Sequence, residues 1–290
     1  MSTPVIEVEN LNLKYGDFHA VKDLSFEVRP GELYALLGTN GAGKTSALET
    51  VEGHREPTSG AVRVFGRSPR DRAAVRPRMG IMLQESGFSP DLSVRESVRL
   101  IGQLSGRTDD VGRVLDVVRL TGKAGTLVSQ LSGGEKRRLD FATAVYGTPE
   151  LIFLDEPTTG LDIQSRDALW ESVDRLRENG STIVLTTHYL EEAQQRADRI
   201  GLMHQGVLRR EGSVSSLLSA LPSVINFSAS TGASLPLPAS IHDGIVRIET
   251  FNLQKDLYVL LGWAQDQGVE LSDLSAGPTR LDDVFRAIEA

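Results

Sequence analysis

Residues 38–45 match the pattern Gly-x-x-x-x-Gly-Lys-Ser/Thr, which is typical of a loop that binds the phosphates of a nucleotide. Glycines let such a loop turn so that successive backbone N–H groups converge on a phosphate, and the following helix adds its dipole. Lys44 is predicted to neutralise the β- and γ-phosphates, and the Thr45 hydroxyl to coordinate Mg²⁺. A dinucleotide-binding pattern is excluded because Ser46 stands where its third glycine belongs. The predicted nucleotide-binding residues of this loop are Gly38, Thr39, Asn40, Gly41, Ala42, Gly43, Lys44, Thr45 and Ser46.

Two carboxylates, Asp155 and Glu156, follow the apolar run 151–154. A run of this kind is typical of a strand that is buried on both faces of a parallel sheet. At its end, Asp155 is placed to hold Mg²⁺ through a water molecule, and Glu156 to polarise the water that attacks the γ-phosphate. Many strands also end in solvated acids, but the phosphate-binding loop upstream favours the catalytic interpretation. The pair therefore predicts hydrolysis of a nucleoside triphosphate, with Lys44 and Glu156 as catalytic residues.

A second anion-binding pattern occurs at Ser132-Gly133-Gly134-Glu135, ahead of a helical pattern that continues to Tyr146. A serine and two glycines at a helix start form a nest of N–H groups that suits a γ-phosphate. The same residues would also serve as an ordinary N-cap after a flexible turn. The residues alone leave both interpretations open, because the first loop needs no second nest.

Composition limits the classes of function that fit the chain. The 290 residues include 40% hydrophobic side chains, and the net charge is −8, which argues against a nucleic-acid partner. The absence of cysteine excludes disulfide bonds, thiolate metal sites and cysteine nucleophiles. No uncharged apolar run approaches the ~20 residues of a membrane span, and the start lacks the pattern of a secretory signal. We therefore expect a cytoplasmic protein that reaches a membrane only through a partner.

The segments around these motifs predict an α/β fold with a parallel sheet. Residues 165–178 carry apolar side chains at helical spacing between two strand-like runs, and strand, helix and strand in this order favour parallel pairing. A second helix is predicted from Gly43 to Val51. Short β segments before the phosphate loop predict an N-terminal β subdomain. The predicted strands are 5–9, 11–15, 21–28, 32–37, 151–154 and 182–186.

The sequence also predicts an insertion and a second domain. Residues 90–148 are mostly helical in pattern and lie between the phosphate loop and the acidic strand. After Leu221 the composition changes, with β-like residues 245–249 and helix-like residues 257–267. Residues 222–290 carry nine acidic and four basic side chains. We expect a domain over 1–221 and a small α+β accessory domain over 222–290.

Together these motifs resemble the ABC ATPase family, whose signature is Leu-Ser-Gly-Gly-Gln/Glu and whose motifs come in this order. The resemblance covers residues 1–221 and implies roles for four further residues. Tyr15 matches the aromatic residue that stacks on adenine, and Gln84 matches the glutamine that contacts Mg²⁺ and senses the transmembrane partner. Asp162 falls in the segment called the D-loop, and His188 matches the switch histidine that touches the γ-phosphate.

The resemblance further implies that the functional unit is a dimer closed by ATP. In this family the signature of one subunit, here Ser132 to Glu135, completes the site on the P-loop of the other. Glutamate at position 135 replaces the commoner glutamine, a variation that the family tolerates. The implied cofactors are ATP and Mg²⁺, and the implied partner is a second ATP-binding subunit, in a homodimer with two active sites.

A finer resemblance, to ABC-2 type drug and antibiotic exporters, rests on residues 81–96 and on Arg280-Leu-Asp-Asp-Val-Phe-Arg. It implies export of a small molecule through a separate integral-membrane permease, with the ATPase at the inner face of the cell membrane. Leu281, Val284, Phe285 and Ile288 would equally form the apolar face of a terminal helix. The alternatives are an importer ATPase with a regulatory tail and a non-transport ABC ATPase acting on ribosomes or DNA.

Overall fold

The computed structural model describes residues 3–83, 87–228 and 234–289. The chain divides into two compact units, Met1–Glu211 and Gly212–Ala290. The predicted boundary lies after Leu221, so the second unit begins earlier than the sequence suggests. The physical reason is the helix Val214–Ser219, which contacts the C-terminal helix Leu281–Glu289 and therefore belongs with the second unit.

In the described part of the first unit, strands and helices alternate after an initial hairpin. The strands are, in chain order, β1 (Ile6–Tyr15), β2 (Phe18–Val28), β3 (Leu33–Gly38), β4 (Ser59–Val64), β5 (Met79–Met82), β6 (Leu151–Asp155), β7 (Thr182–Thr186), β8 (Arg199–His204) and β9 (Val207–Ser213). The α-helices are α1 (Lys44–Val51), α2 (Arg72–Val75), α3 (Val94–Ser105), α4 (Val111–Val117), α5 (Gly133–Val145), α6 (Ile163–Glu178) and α7 (Leu190–Arg196). Short 3₁₀ helices cover Arg76–Arg78, Thr121–Lys123 and Val128–Gln130.

An N-terminal antiparallel sheet has the strand order β2-β1-β4, which confirms the predicted β subdomain. Along β1 the buried side chains lie at positions 6 and 8 and then at 11 and 13. This change follows a register shift between Val8 and Leu11, where Asn10 has a left-handed backbone with φ of 48°. A bulge of this kind moves the following side chains to positions of the other parity. The two β segments predicted at 5–9 and 11–15 are therefore one bulged strand.

The central sheet has the strand order β5-β6-β7-β3-β8-β9. Strands β5, β6, β7, β3 and β8 pair in parallel with their neighbours, which confirms the predicted parallel α/β sheet. The carboxyl ends of parallel strands share one edge of a sheet, and ligands bind outside that edge. The loops that follow the adjacent strands β6, β7 and β3 therefore meet there. They carry the Asp155-Glu156 pair, His188 and the phosphate loop.

A hydrophobic core joins the antiparallel sheet, helix α1 and one face of the central sheet. Its buried members include Ile6, Leu24, Leu48 and Phe153. The helical insertion is also confirmed, since α3, α4 and α5 all contact one another within the predicted range 90–148. The structure thus places α5, which begins at the predicted second anion nest, beside the parallel sheet, where it contacts β5 and β6.

In its described residues, the second unit combines an antiparallel sheet with three helices, α8 (Val214–Ser219), α9 (Leu253–Gln267) and α10 (Leu281–Glu289). Helix α9 begins at Leu253, four residues before the predicted start at 257. Leu281 and Val284 of α10 are fully buried, so these two residues of the predicted apolar stripe pack within this chain. The strands are β10 (Ser223–Ser228), β11 (Ser240–His242), β12 (Ile245–Thr250) and β13 (Ser272–Gly277), in the order β11-β12-β10-β13.

The core of this second unit forms between one face of its sheet and helix α9. Ile225, Phe227, Val246, Ile248 and Leu260 are its buried members. Their alternation along β10 and β12 is that of a half-buried antiparallel sheet, so the predicted α+β character is confirmed. Within residues 3–83, 87–228 and 234–289, no helix has the length and apolar character that a membrane crossing requires.

Candidate active site

The phosphate loop lies between β3 and α1, as the sequence motif predicts. Gly41 and Gly43 take left-handed backbone conformations with φ of 79° and 97°, which glycine adopts without steric cost. A Cβ atom at Gly43 would lie 2.4 Å from the Ala20 carbonyl oxygen. Glycine is therefore required there both by conformation and by the close approach of β2. The loop delivers Lys44 and Thr45 to the first turn of α1.

The side chain of Lys44 contacts the backbone of the phosphate loop. Its Nζ atom donates hydrogen bonds to the carbonyl oxygens of Gly38, at 2.7 Å, and Thr39, at 3.1 Å. Burial lowers the pKa of the Lys44 ammonium, and the nearby charges of Glu156 and Asp155 oppose that shift. A partly buried cation of this kind is suited to an anionic ligand, because a phosphate would compensate for the water that it has lost.

A cleft of about 270 Å³ unites the phosphate loop with the acidic pair. This volume is below the range of roughly 300–1,000 Å³ that is usual for sites enclosing a whole ligand. A cleft of this size suits the phosphate part of a nucleotide. Its lining comprises Phe18, Asn40, Gly41, Ala42, Gly43, Lys44, Thr45, Ser46, Asp155 and Glu156.

Asp155 ends β6 and faces the neighbouring strand β7. Burial raises the pKa of its carboxyl group, and a hydrogen bond that the Thr186 hydroxyl donates to Oδ1 opposes the shift. Asp155 and the hydroxyl of Thr45 line the same cleft, and both offer the hard oxygen atoms that Mg²⁺ prefers. In the described ranges no group of three or more His, Asp or Glu residues could hold a metal ion alone.

Glu156 takes a strained backbone conformation. Its φ is 48°, in the left-handed region that side chains other than glycine rarely adopt. Its N–H donates to the Thr186 carbonyl oxygen at 3.0 Å. His188, which follows β7, places Nδ1 3.4 Å from Oε2 of Glu156. The structure thus brings together Lys44, Asp155, Glu156 and His188 at one edge of the sheet, as the sequence predicts.

Two exposed aromatic side chains lie beside the phosphate loop. Tyr15 is 40% exposed, and its hydroxyl lies 3.0 Å from the hydroxyl of Ser46. The guanidinium of Arg55 lies over the Tyr15 ring, 4.6 Å from its centroid. Phe18 is 64% exposed and lines the cleft. Aromatic faces that remain open to solvent are suited to stacking with a base.

Ser132 is the N-cap of α5 and forms a capping box with Glu135. The Glu135 carboxylate accepts from the Ser132 N–H at 2.9 Å and pairs with Lys123 at 3.2 Å. These contacts lower the pKa of Glu135, and they direct its side chain to the cap. The described lining of the cleft contains none of residues 132–135. Asp162 also lies outside it, as the N-cap of α6, where it accepts from the Ser165 N–H at 2.8 Å.

Comparison with known proteins shows similarity along most of the chain. Residues 21–159 match the ABC transporter family, and residues 223–279 match the C-terminal domain of ABC transporter domain-containing proteins. The Nod factor export ATP-binding protein I of Paraburkholderia xenovorans is 39% identical over 226 residues, which cover 76% of this chain and 74% of that protein. The protein of that name from Bradyrhizobium diazoefficiens is 39% identical over 224 residues, covering 75% and 73%.

The chain belongs to the ABC transporter ATP-binding family. Solved structures agree with this assignment. The structure of an ATP-binding subunit of an ABC transporter has a TM-score of 0.70 and 27% identity to this ABC ATPase, covering 73% of this chain and 91% of that one. A dimeric bacterial ABC transporter cassette has a TM-score of 0.66 and 25% identity, covering 72% and 98%. The predicted fold, ATP binding and ATPase activity are thereby confirmed.

The structure adds residues of the ABC ATPase site that the sequence motifs did not reveal. Phe18 lines the cleft, and Thr186 holds both the carboxyl of Asp155 and the backbone of Glu156. Neither belongs to a motif with fixed spacing, so only the strand order could have indicated them. Gln84 lies outside the described residues. Its predicted contact with Mg²⁺ stays a prediction.

Proposed function

We propose that this ABC ATPase binds MgATP, closes as a dimer and powers export through a separate membrane permease. The single observation that carries the chemistry is the cleft in which Lys44, Thr45, Asp155 and Glu156 face one another. Export is supported by the names of the relatives, which are Nod factor export ATP-binding proteins. The same names favour an exporter over the importer and non-transport alternatives.

The residues divide the hydrolysis of ATP into binding, water activation and charge stabilisation. The N–H groups of residues 40–45 and the ammonium of Lys44 hold the β- and γ-phosphates. The Glu156 carboxylate accepts a hydrogen bond from the attacking water and orients it towards the γ-phosphorus. His188, within reach of Glu156, donates to the γ-phosphate as negative charge spreads over its oxygens. Thr45 and Asp155 would hold Mg²⁺, which would neutralise negative charge on the phosphates.

The nucleoside lies outside the phosphate cleft in this proposal. Adenine stacks on Tyr15, whose ring is exposed and whose hydroxyl is fixed by the Ser46 hydroxyl. Phe18 adds a second apolar contact, because it lines the cleft and is 64% exposed. Stacking of this kind provides affinity with little discrimination among bases.

The position of Ser132 to Glu135 supports a composite site. These residues present an anion nest at the start of α5, yet they do not line the cleft of their own chain within the described residues. A second copy packed head to tail would bring its nest over the γ-phosphate, and Asp162 would lie near the same junction. Two identical sites follow for a homodimer. A solved cassette of similar fold is dimeric, which supports the pairing of two copies.

A membrane partner is supported by exposed apolar residues on and beside the helical insertion. Leu104 and Leu100 lie four residues apart on α3, with 75% and 43% of their surface exposed. Leu83 and Leu127 are exposed as well. Leu100 and Leu104 share one face of α3, and adjoining exposed apolar residues can form part of a protein interaction surface. Through a permease docked there, the ATPase would lie at the cytoplasmic face of the membrane.

Co-purification with the permease tests the transporter function. Any neighbouring gene that encodes a membrane protein is to be co-expressed as the candidate permease. Leu104→Ser should reduce recovery of the complex and transport, while the detached subunit keeps its ATPase rate. Tyr258→Ser, which removes an equally exposed side chain from the second unit, is the matched control. Undiminished assembly of Leu104→Ser would contradict docking at α3, and failure of the wild-type chain to bind any permease would contradict the transporter function.

A further inference from the structure

Arg137 lies on α5, five residues after Ser132, and is buried. Its guanidinium donates hydrogen bonds to backbone carbonyl oxygens of two other segments. Nη1 donates to Leu83 at 2.7 Å. Nη2 donates to Asp155 and, at 2.6 Å, to Glu156, and Nε donates to Pro157 at 3.4 Å. One side chain therefore joins the helix of the anion nest to the ends of β5 and β6.

The planar fork of arginine suits this arrangement. A guanidinium presents five N–H donors in fixed directions, whereas lysine offers a point charge without that geometry. Three successive carbonyl groups, from Asp155 to Pro157, turn towards the same side chain. Successive carbonyls of a regular strand alternate in direction, so they can meet one donor only where the backbone leaves the strand. The chain leaves the strand at Glu156.

The left-handed φ of 48° at Glu156 is what turns these carbonyls together. This conformation is unfavourable for glutamate and persists only where the surroundings hold it. On one side the Thr186 carbonyl accepts from the Glu156 N–H. On the other side the Glu156 carbonyl accepts from Arg137. The backbone that carries the water-activating carboxylate is thus held between β7 and α5.

Charge supports the same role. Burial lowers the pKa of the Arg137 guanidinium, and the charges of Asp140, Asp155 and Glu156 oppose that shift. The positive charge of Arg137 opposes the rise that burial causes in the pKa of the Asp155 carboxyl. The hydrogen bonds to carbonyl groups leave the carboxylate of Glu156 directed at the cleft, where it can accept from water.

We propose that Arg137 is a positioning residue that fixes Glu156 in its strained conformation and joins it to α5 of the same chain. The proposal rests on the function of Glu156 proposed above. Because Arg137 links them, the carboxylate of Glu156 follows any movement of α5. In the proposed dimer, the first turn of α5 meets the nucleotide of the partner subunit. Loss of the fork releases the turn at residues 155–157, so Glu156 moves away from the attacking water.

The first test compares the buried Arg137 with Arg107, a partly buried arginine that contacts the same helix. Arg107 also donates to backbone carbonyls of α5, those of Thr143 and Ala144, but at the end of the helix away from the cleft. In Arg137→Gln we expect kcat to fall by about 10–100-fold, since misplacement of a reacting group by roughly 1 Å costs that much. The dissociation constant for ATP should change less than about threefold. Arg107→Gln should lose similar thermal stability and keep kcat.

Conservative replacement separates geometry from charge. Arg137→Lys keeps the positive charge and loses the fork, so kcat should remain well below that of the wild type. This variant also decides the question if Arg137→Gln does not fold. Full kcat in Arg137→Lys would overturn the proposal, as would full kcat in Arg137→Gln. Equal loss of kcat in Arg137→Gln and Arg107→Gln, at equal loss of stability, would also overturn it.

Mixed dimers test whether Arg137 acts within its own chain. A dimer of one wild-type chain and one Lys44→Ala chain keeps a single working P-loop. Its hydrolysis rate is the reference rate for this test. Arg137→Gln in the chain with the working P-loop should abolish most of that rate, whereas Arg137→Gln in the Lys44→Ala chain should spare it. Equal loss in both arrangements would overturn the proposal. If wild-type homodimers hydrolyse no ATP, the proposed function itself fails; if only the mixed reference dimer is inactive, the homodimer comparison decides.

Discussion

The Nδ1 atom of His188 lies 3.4 Å from Oε2 of Glu156. The two residues follow β7 and β6, which are adjacent in the central sheet. His188 is 48% exposed at its side chain, while Glu156 is 22% exposed. The pair thus combines an accessible ring with a more enclosed carboxylate. The His188 ring packs against Tyr189 with 4.0 Å between the ring centroids and a tilt of 39°. This arrangement holds the histidine beside Glu156, which lines the cleft.

Replacement of His188 by alanine should slow hydrolysis without weakening ATP binding. The histidine acts on charge that develops in the transition state, so its loss should lower kcat by about 10²–10³-fold. The dissociation constant for ATP should change little, because the P-loop contacts remain. Single-turnover hydrolysis and a binding titration measure the two effects. A large loss of affinity at unchanged kcat would show that His188 binds ground-state ATP only.

Asp155→Asn should stabilise the nucleotide-free protein at pH 7. Burial raises the pKa of Asp155 in the folded state. The protonated carboxyl therefore stabilises the fold at low pH, and this contribution is lost as the pH rises through the raised pKa. Asparagine removes the ionisation and keeps an oxygen that accepts from Thr186. Each kcal/mol gained would raise Tm by roughly 2–4 °C. The gain should shrink as the pH falls towards the ordinary range of aspartate, about 4.

Thermal unfolding at pH 7 and pH 5 checks this prediction, with MgATP hydrolysis measured in parallel. The variant should lose hydrolysis while it gains stability. Opposite changes of this kind would show that the carboxylate serves activity and does not stabilise the fold. A lower Tm at pH 7 would mean that the ionised carboxylate stabilises the fold. In that case the raised pKa would be contradicted.

Two serines with the same local role allow a matched test of the second anion nest. Ser132 and Ser93 each form a capping box, with Glu135 at the start of α5 and Glu96 at the start of α3. Loss of either cap should cost about 1 kcal/mol of stability. Only Ser132→Ala should also weaken ATP-driven dimerisation and hydrolysis, because only α5 carries the nest. Similar ATPase loss in Ser93→Ala would show that the serines act through the stability of their helices.

Much of the site could be predicted from sequence because its motifs are local. The backbone of the P-loop depends on glycines within eight residues, and Asp155 and Glu156 follow an apolar run that any parallel sheet would bury. Their meeting with His188 required only the rule that the carboxyl ends of parallel strands share an edge. The capping box at Ser132 could also be predicted, because it depends on four consecutive residues.

Features that depend on distant backbone could not be predicted in this way. Arg137 donates to Leu83, which lies 54 residues away in sequence. Its acceptors are backbone carbonyl groups, which every residue has, so no sequence motif indicates the contact. The left-handed backbone of Glu156 has no glycine to mark it. The start of the second unit at Gly212 depends on the contact of α8 with α10. Helix α8 precedes the change in composition at Leu221 and therefore gave no signal.

Hydrolysis by Glu156→Gln tests the central claim most directly. The amide keeps the shape of the side chain and all phosphate contacts, but it cannot polarise the attacking water. We expect kcat to fall by about 10²–10⁴-fold, with ATP bound at wild-type affinity and the ATP-bound dimer accumulating in light scattering. Single-turnover hydrolysis at near the wild-type rate, with the Lys44→Ala variant inactive as the control for contaminating ATPases, would contradict the assignment of Glu156.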